Sequence, residues 1–174
     1  HWDHAGGGTR VGADANPVPT FPNATYYVNR LEWEDATGAA PELAGSYDPK
    51  DFQSVADSGQ LVLVDDLQEV IPGLWTRMTG GHTRGHQALL FESNGLGALY
   101  PADICPAITH MRRMWCLAYD LFPLETRRRK PQLLGEAADN VWWVLWDHDP
   151  SFAASLIQRH PKREFVVSDS RSKL

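Results

Sequence analysis

The chain opens on His1-Trp2-Asp3-His4-Ala5-Gly6-Gly7, and the reading of this stretch decides the fold. Two imidazoles and a carboxylate fall within four positions, and two glycines follow directly. A short turn with that spacing aims ring nitrogens and a carboxylate oxygen into one small volume. Such a donor set suits zinc and other borderline first-row metals. The glycines let the backbone bend closely around that volume. Asp3 and His4 are adjacent, so on an irregular turn both reach one ion while His1 points to another.

Working outward, three more stretches carry metal-capable side chains: Gly81-His82-Thr83-Arg84-Gly85-His86, Tyr100-Pro101-Ala102-Asp103 and Asp147-His148-Asp149-Pro150. In this order the four resemble the second half of the H-x-H-x-D-H motif, the G-H-T-x-G-H turn, the bridging aspartate and the last histidine of the metallo-β-lactamase-fold hydrolases. Four pieces in order are a far more specific signal than any one of them. The likeness is strongest to the lactonase-like and organophosphate-hydrolase-like branch, on Asn29-Arg30-Leu31-Glu32-Trp33-Glu34 and the His-Asp-Pro ending. One departure stands out: the family's first histidine would lie two positions before His1.

The resemblance implies a four-layer αββα sandwich, an α/β (α+β) fold with two face-to-face sheets and metals at one edge. It implies a single domain over residues 1–174, the C-terminal two-thirds of the full domain, with the opening strands of the first sheet missing. It gives the ligands as His1, Asp3, His4, His86, Asp103 and His148, with Asp103 bridging two divalent ions. Zinc is the first candidate metal, with iron or manganese as alternatives. The implied chemistry is hydrolysis of an ester, lactone or phosphoester by a metal-bound hydroxide, with Asp3 also steering its proton. Two other readings stay open: an iron-dependent redox member of the fold, and an inactive fragment.

Within the turn His82 is read as the weaker histidine, holding the turn or supporting a ligand from behind. His110 and Tyr119, with Asp120 beside it, are candidates for the substrate side, where they would polarise a carbonyl or protonate a leaving group. In the lactone-cleaving relatives a tyrosine commonly sits three positions after the bridging aspartate. Here that position is Pro106, which has neither a hydroxyl nor an N–H. His160 is read as a solvated loop residue, and Arg127-Arg128-Arg129-Lys130 as a solvated face rather than a docking patch.

Composition agrees with a small-molecule enzyme. The 174 residues suffice for a sizeable core, and 43% are hydrophobic. A net charge of -6 argues against binding a phosphate backbone and so against a nucleic-acid partner. Two cysteines in a chain this long are too few for a disulfide framework and point to the reducing cytoplasm. No apolar run is long enough for a membrane span. A homodimer is compatible with all of this. The ending Ser172-Lys173-Leu174 has the form of a peroxisomal address, read only in a eukaryote.

Local patterns predict the elements. Residues 8–23 read as a loop and Ala24–Val28 as a strand. Asn29 caps a helix to Ala36, and Asp48-Pro49 opens a second to Asp57. Pro72-Gly73 turns a hairpin between Glu69–Ile71 and Leu74–Met78. Strands follow at His86–Glu92 and Leu96–Tyr100. A helix over Leu124–Asp139 should kink or split at Pro131. Val141–Trp146 reads as a buried strand delivering Asp147 and His148, with a closing hairpin after it.

Overall fold

The computed structural model describes residues 2–38, 40–43, 45–48 and 52–173, apart from the side chains of Trp2 and Asp3. His1, the helix start at Pro49 and the terminal Leu174 lie outside the described residues. The chain packs as two compact units, His1–Asp65 and Asp66–Leu174.

In the first unit a 3-10 turn over Trp2–Gly8 leads into a small hairpin, β1 (Thr9–Val11) and β2 (Pro17–Pro19). The sequence predicts a loop there, because Pro17 and Pro19 cannot donate to a ladder. A two-stranded ribbon tolerates them, since each strand needs to be paired on one side only. Strand β3 (Tyr26–Asn29) then pairs in parallel with β4 (Leu61–Val64). Between them lie α1 (Arg30–Thr37) and α2 (Gln53–Asp57). Asn29 caps α1 as expected, its side chain accepting from the Leu31 N–H at 2.9 Å. Ala36, Phe52 and Val55 form this unit's core, with Tyr26, Val28 and Trp33 packed on it.

The second unit is a seven-stranded sheet with one long helix. In spatial order the strands are β11 (Glu164–Arg171), β10 (Ala154–His160), β9 (Trp143–Leu145), β8 (Leu96–Tyr100), β7 (Gln87–Ser93), β6 (Leu74–Met78) and β5 (Leu67–Ile71). Every neighbouring pair is antiparallel except β8–β9, which is parallel. The parallel pair needs a crossover, and α3 (Pro123–Asp139) supplies it. Leu133, Leu134 and Ala137 of α3 pack on Leu90, Leu99, Val144 and Ile157 of the sheet.

The turn at Pro72-Gly73 forms as read, with Gly73 at φ +82° and so close to the Glu92 carbonyl that a side chain would collide with it. Two expectations fail. Helix α3 runs through Pro131 as one element, at the cost of one backbone hydrogen bond. Strand β9 is only three residues long, because Val141 takes a left-handed φ of +55° just before it. The basic run is also not one solvated face: Arg128 and Arg129 are exposed, but Lys130 is fully buried. Its Nζ donates to the Trp115 carbonyl. No helix among the described residues is long and apolar enough to cross a membrane.

Candidate metal centre

The site in the second unit is assembled from the ends of β6, β8 and β9. After β6 the chain turns at Gly80 (φ +63°) and Gly81 (φ +88°). A Cβ on Gly81 would sit 2.7 Å from Thr126 Oγ1, so only glycine lets the turn rest on the first turn of α3. The turn closes on itself, with Thr79 N and Gly80 N both donating to the His86 carbonyl at 2.7 and 3.2 Å. A loop before α3 straps it from outside: Leu121 N donates to His82 O at 2.9 Å, and Phe122 N to Gly81 O at 2.8 Å.

This strapping leaves His82 fully buried, with a carboxylate at each ring nitrogen. Nδ1 lies 2.9 Å from Asp120 Oδ1, and Nε2 lies 3.3 Å from Asp103 Oδ2. Asp103 sits on a 3-10 turn, Ala102–Ile104, just past β8. Ala102 before it is held at φ +50°, a left-handed conformation that costs an L-residue about 1–2 kcal/mol. Past β9, His148 Nε2 comes within 3.4 Å of Asp103 Oδ1 and 3.8 Å of Asp147 Oδ2. Its backbone N–H donates to the Pro106 carbonyl at 3.1 Å, and Asp149 Oδ2 accepts from Ile108 N at 3.1 Å. The two loops that carry Asp103 and His148 are thus tied together. Asp147 is held by the Tyr100 hydroxyl at 3.1 Å. Burial, and next the charge of Asp147, push the Tyr100 phenol well above its ordinary range, so it stays protonated as the donor.

The donor atoms fit a metal. Asp103, Asp147 and His148 each offer a ligand atom within 4.8 Å of the others. Two ligands each about 2.1 Å from one ion, at tetrahedral angles, stand about 3.4 Å apart. The His82–Asp103 and His148–Asp103 separations of 3.3 and 3.4 Å have that length. They are too long for charge-assisted hydrogen bonds, which run about 2.7–2.9 Å. The 2.9 Å contact of His82 with Asp120 is such a bond, and it is the arrangement that orients a metal-bound imidazole.

The turn's two histidines have different neighbours. His82, read as the supporting residue, is the one whose ring nitrogen stands at Asp103. His86, read as the ligand, is buried with Nδ1 at 2.5 Å from Thr79 Oγ1, its ring 5.7 Å from that of His82. The Gly80-Gly81 turn tucks His82 under the Asp120 loop, and the Thr79 side chain holds Nδ1 of His86, one nitrogen of its ring. Asp120, expected with Tyr119 on the substrate side, has its side chain 1% exposed behind His82. Tyr119 is 61% exposed, its ring edge-on to His82 at 5.8 Å. His110 is half-buried on a 3-10 turn, Ile108–Met111, with Nδ1 3.3 Å from Thr109 Oγ1. Burial, and then the charge of Lys130, hold its pKa below the ordinary value. Asp147 carries a signal in sequence only as the neighbour of His148.

In the first unit His4 is exposed on the opening 3-10 turn. His1 and the side chain of Asp3 lie outside the described residues.

No family model matches the chain. Among curated proteins it is 29% identical to the N-acyl homoserine lactonase AttM of Rhizobium radiobacter, over 86% of this chain and 55% of that protein. Among solved structures it is similar to a probable metal-dependent hydrolase from Staphylococcus aureus, with a TM-score of 0.77 and 27% identity, over 88% of this chain and 53% of that one. It shares the fold of the hydrolase AbOPH of the β-lactamase superfamily, with a TM-score of 0.78 and 22% identity, over 96% of this chain and 60% of that one. The chain thus spans little more than half the length of these relatives. The chain thus shares the fold of a β-lactamase-superfamily hydrolase and is similar in sequence to an N-acyl homoserine lactonase and to a probable metal-dependent hydrolase.

Proposed function

We propose that the protein is a metal-dependent hydrolase with a dinuclear centre that acts on an ester, lactone or phosphoester. The observation that carries this reading is the convergence of Asp103, His148 and His82 at ligand-to-ligand separations. Asp147 stands with them as a further oxygen donor. The sequence motif adds His1, Asp3 and His4. His86, given as a ligand by the motif, keeps that role here, with its Nδ1 held by Thr79 Oγ1. Zinc is the metal these oxygen and nitrogen donors suit first. When bound, it supplies an activated water and a Lewis acid for the attacked oxygen.

The chain's own residues set the stage for that chemistry. Asp120 Oδ1 is placed to accept the Nδ1–H of His82, the tautomer that turns its Nε2 toward Asp103 as a ligand atom. Tyr100 keeps Asp147 turned by donating to it. The Pro106 carbonyl fixes the start of the His148 loop, so this residue positions a ligand where lactone-cleaving relatives carry a tyrosine. A donor to the substrate oxygen then comes from His110 or Tyr119, and Tyr119 is the more exposed of the two. The substrate is a small molecule. We expect preference for an aryl ester or aryl phosphotriester over a long-chain acyl-homoserine lactone. The free state of Cys105 and Cys116 is in keeping with a cytoplasmic enzyme.

The test is a parallel assay of a long-chain lactone, an aryl ester and an aryl phosphotriester, before and after chelation and zinc restoration. Hydrolysis should vanish on chelation, return with zinc, and fall by orders of magnitude in Asp103→Ala. Activity that survives full metal removal would refute the metal reading. A kcat/KM for the lactone tenfold above the others, about 1.4 kcal/mol of transition-state preference, would refute the inference from Pro106.

A further inference from the structure

A second concave site lies in the same unit and shares no residue with the metal centre. It is a cleft of about 680 Å³ between α3, the β10–β11 turn and the loop after His110. A volume of this order holds a small molecule, but such pockets are usually lined mostly by apolar groups. This one has two prolines and a phenylalanine in its wall, but its other lining residues are Arg113, Arg128, Arg159, His160 and Gln132, with Glu164 its one carboxylate. In a chain of net charge -6, that concentration of cations runs against the rest of the molecule.

The hydrogen bonds show which groups are spent. Glu164 is taken by Arg113: Oε1 accepts from Nε at 2.9 Å and Nη2 at 2.6 Å, and Oε2 from the Arg113 N–H at 3.3 Å. Arg159 is clamped in the same two-pronged way by Asp139, at 2.6 and 2.7 Å. Each clamp fixes the plane of a guanidinium and uses two of its five N–H donors. Arg128 makes no ion pair or side-chain hydrogen bond among the described residues. His160 Nδ1 accepts from the backbone N–H groups of Lys162 and Arg163, at 3.2 and 3.1 Å. Its neutral ring therefore carries the proton on Nε2 and presents a further donor. The cleft has two pre-oriented guanidiniums, a third with no partner, an imidazole N–H, and a carboxylate already engaged.

We propose that this cleft binds the phosphate groups of a small phosphorylated molecule, at a site additional to the metal centre. Donors in surplus and fixed guanidinium planes match the oxygens of a phosphate or pyrophosphate. A nucleic-acid backbone is a poorer fit, because the surrounding charge is negative overall.

The experiment is calorimetric titration of the protein with pyrophosphate, inorganic phosphate and citrate at fixed ionic strength. It is repeated for Arg128→Gln, Arg128→Lys and Asp103→Asn. Arg128 is exposed, so its replacement should leave the thermal midpoint in place. The proposal expects saturable binding of one pyrophosphate per chain, tighter than citrate. It expects Arg128→Gln to weaken binding about tenfold or more, Arg128→Lys to weaken it less, and Asp103→Asn to leave it unchanged. Three results would overturn it: no saturable binding up to about 10 mM, citrate binding as tightly as pyrophosphate, or binding lost in Asp103→Asn and kept in Arg128→Gln. That last pattern would place the anion at the metal centre instead. These readouts are independent of catalysis, so the cleft and the hydrolase reading stand or fall separately.

Discussion

His82 is the residue on which the site turns. A fully buried imidazole between two carboxylates is an expensive arrangement unless each nitrogen has a defined duty. The short contact to Asp120 holds one proton, and the longer one to Asp103 leaves room for a shared ion. Replacing His82 by Gln should therefore cost metal outright. Asp120→Asn keeps the shape but weakens the acceptor, and should lower zinc affinity about 10–100-fold. His86→Gln, which removes the ligand that the motif names, should lower zinc binding as well. Chelator competition on the three variants checks this order. Full zinc retention in His86→Gln would take the ligand role from the second histidine of the turn. The motif assigns the ligand to His86 and does not say that His82 faces Asp103. That placement is made by two left-handed glycines and by a loop whose carboxylate is 38 residues away in sequence, and neither leaves a local trace at His82.

At the scale of elements, α3 does two jobs. Its first turn supports the glycines of the metal turn, and its Lys130 reaches under the loop that carries Asp120. Burial pushes the Lys130 ammonium below the ordinary lysine value, while the nearby Cys105, Cys116, Asp120 and Glu164 pull it partly back. A folded pKa below the unfolded one means that the unfolded chain holds more protons between the two values. Stability therefore rises with pH across that window, and Lys130 costs most below its folded pKa. A Lys130→Met variant removes this term. The wild type should gain on it as the pH climbs from neutrality toward the ordinary lysine pKa, measured as the difference in urea midpoints. A flat difference would mean that Lys130 is charged and paired throughout.

Local chemistry made most of these elements readable: the Asn29 cap, the Pro72-Gly73 hairpin and the strands either side of Asn94-Gly95 all form where their residues predict them. It failed where tertiary packing overrode it. Pro131 should break a free helix, but here the residues after it, Leu133, Leu134 and Ala137, are held by the sheet. Lys130 should be solvated as part of a basic run, but it is drawn inward by a carbonyl that no periodicity reveals.

At the scale of the whole molecule, the second unit brings the ends of three strands to one small volume, and this is why three distant sequence pieces form one pattern. The unit spans a seven-stranded sheet whose only parallel pair, β8–β9, carries Asp103 and His148 past adjacent strand ends. That parallel step fixes both residues on the same edge of the sheet. The account's central claim is that a metal ion is held there by Asp103, His148 and His82. The most direct test is an anomalous difference map recorded at the zinc edge on crystals of the zinc-loaded protein. The account predicts a peak about 2.0–2.2 Å from an Asp103 carboxylate oxygen and from the Nε2 of His82 or His148. A zinc-loaded crystal whose peaks lie on His86 or elsewhere, with Asp103 bare, would contradict it.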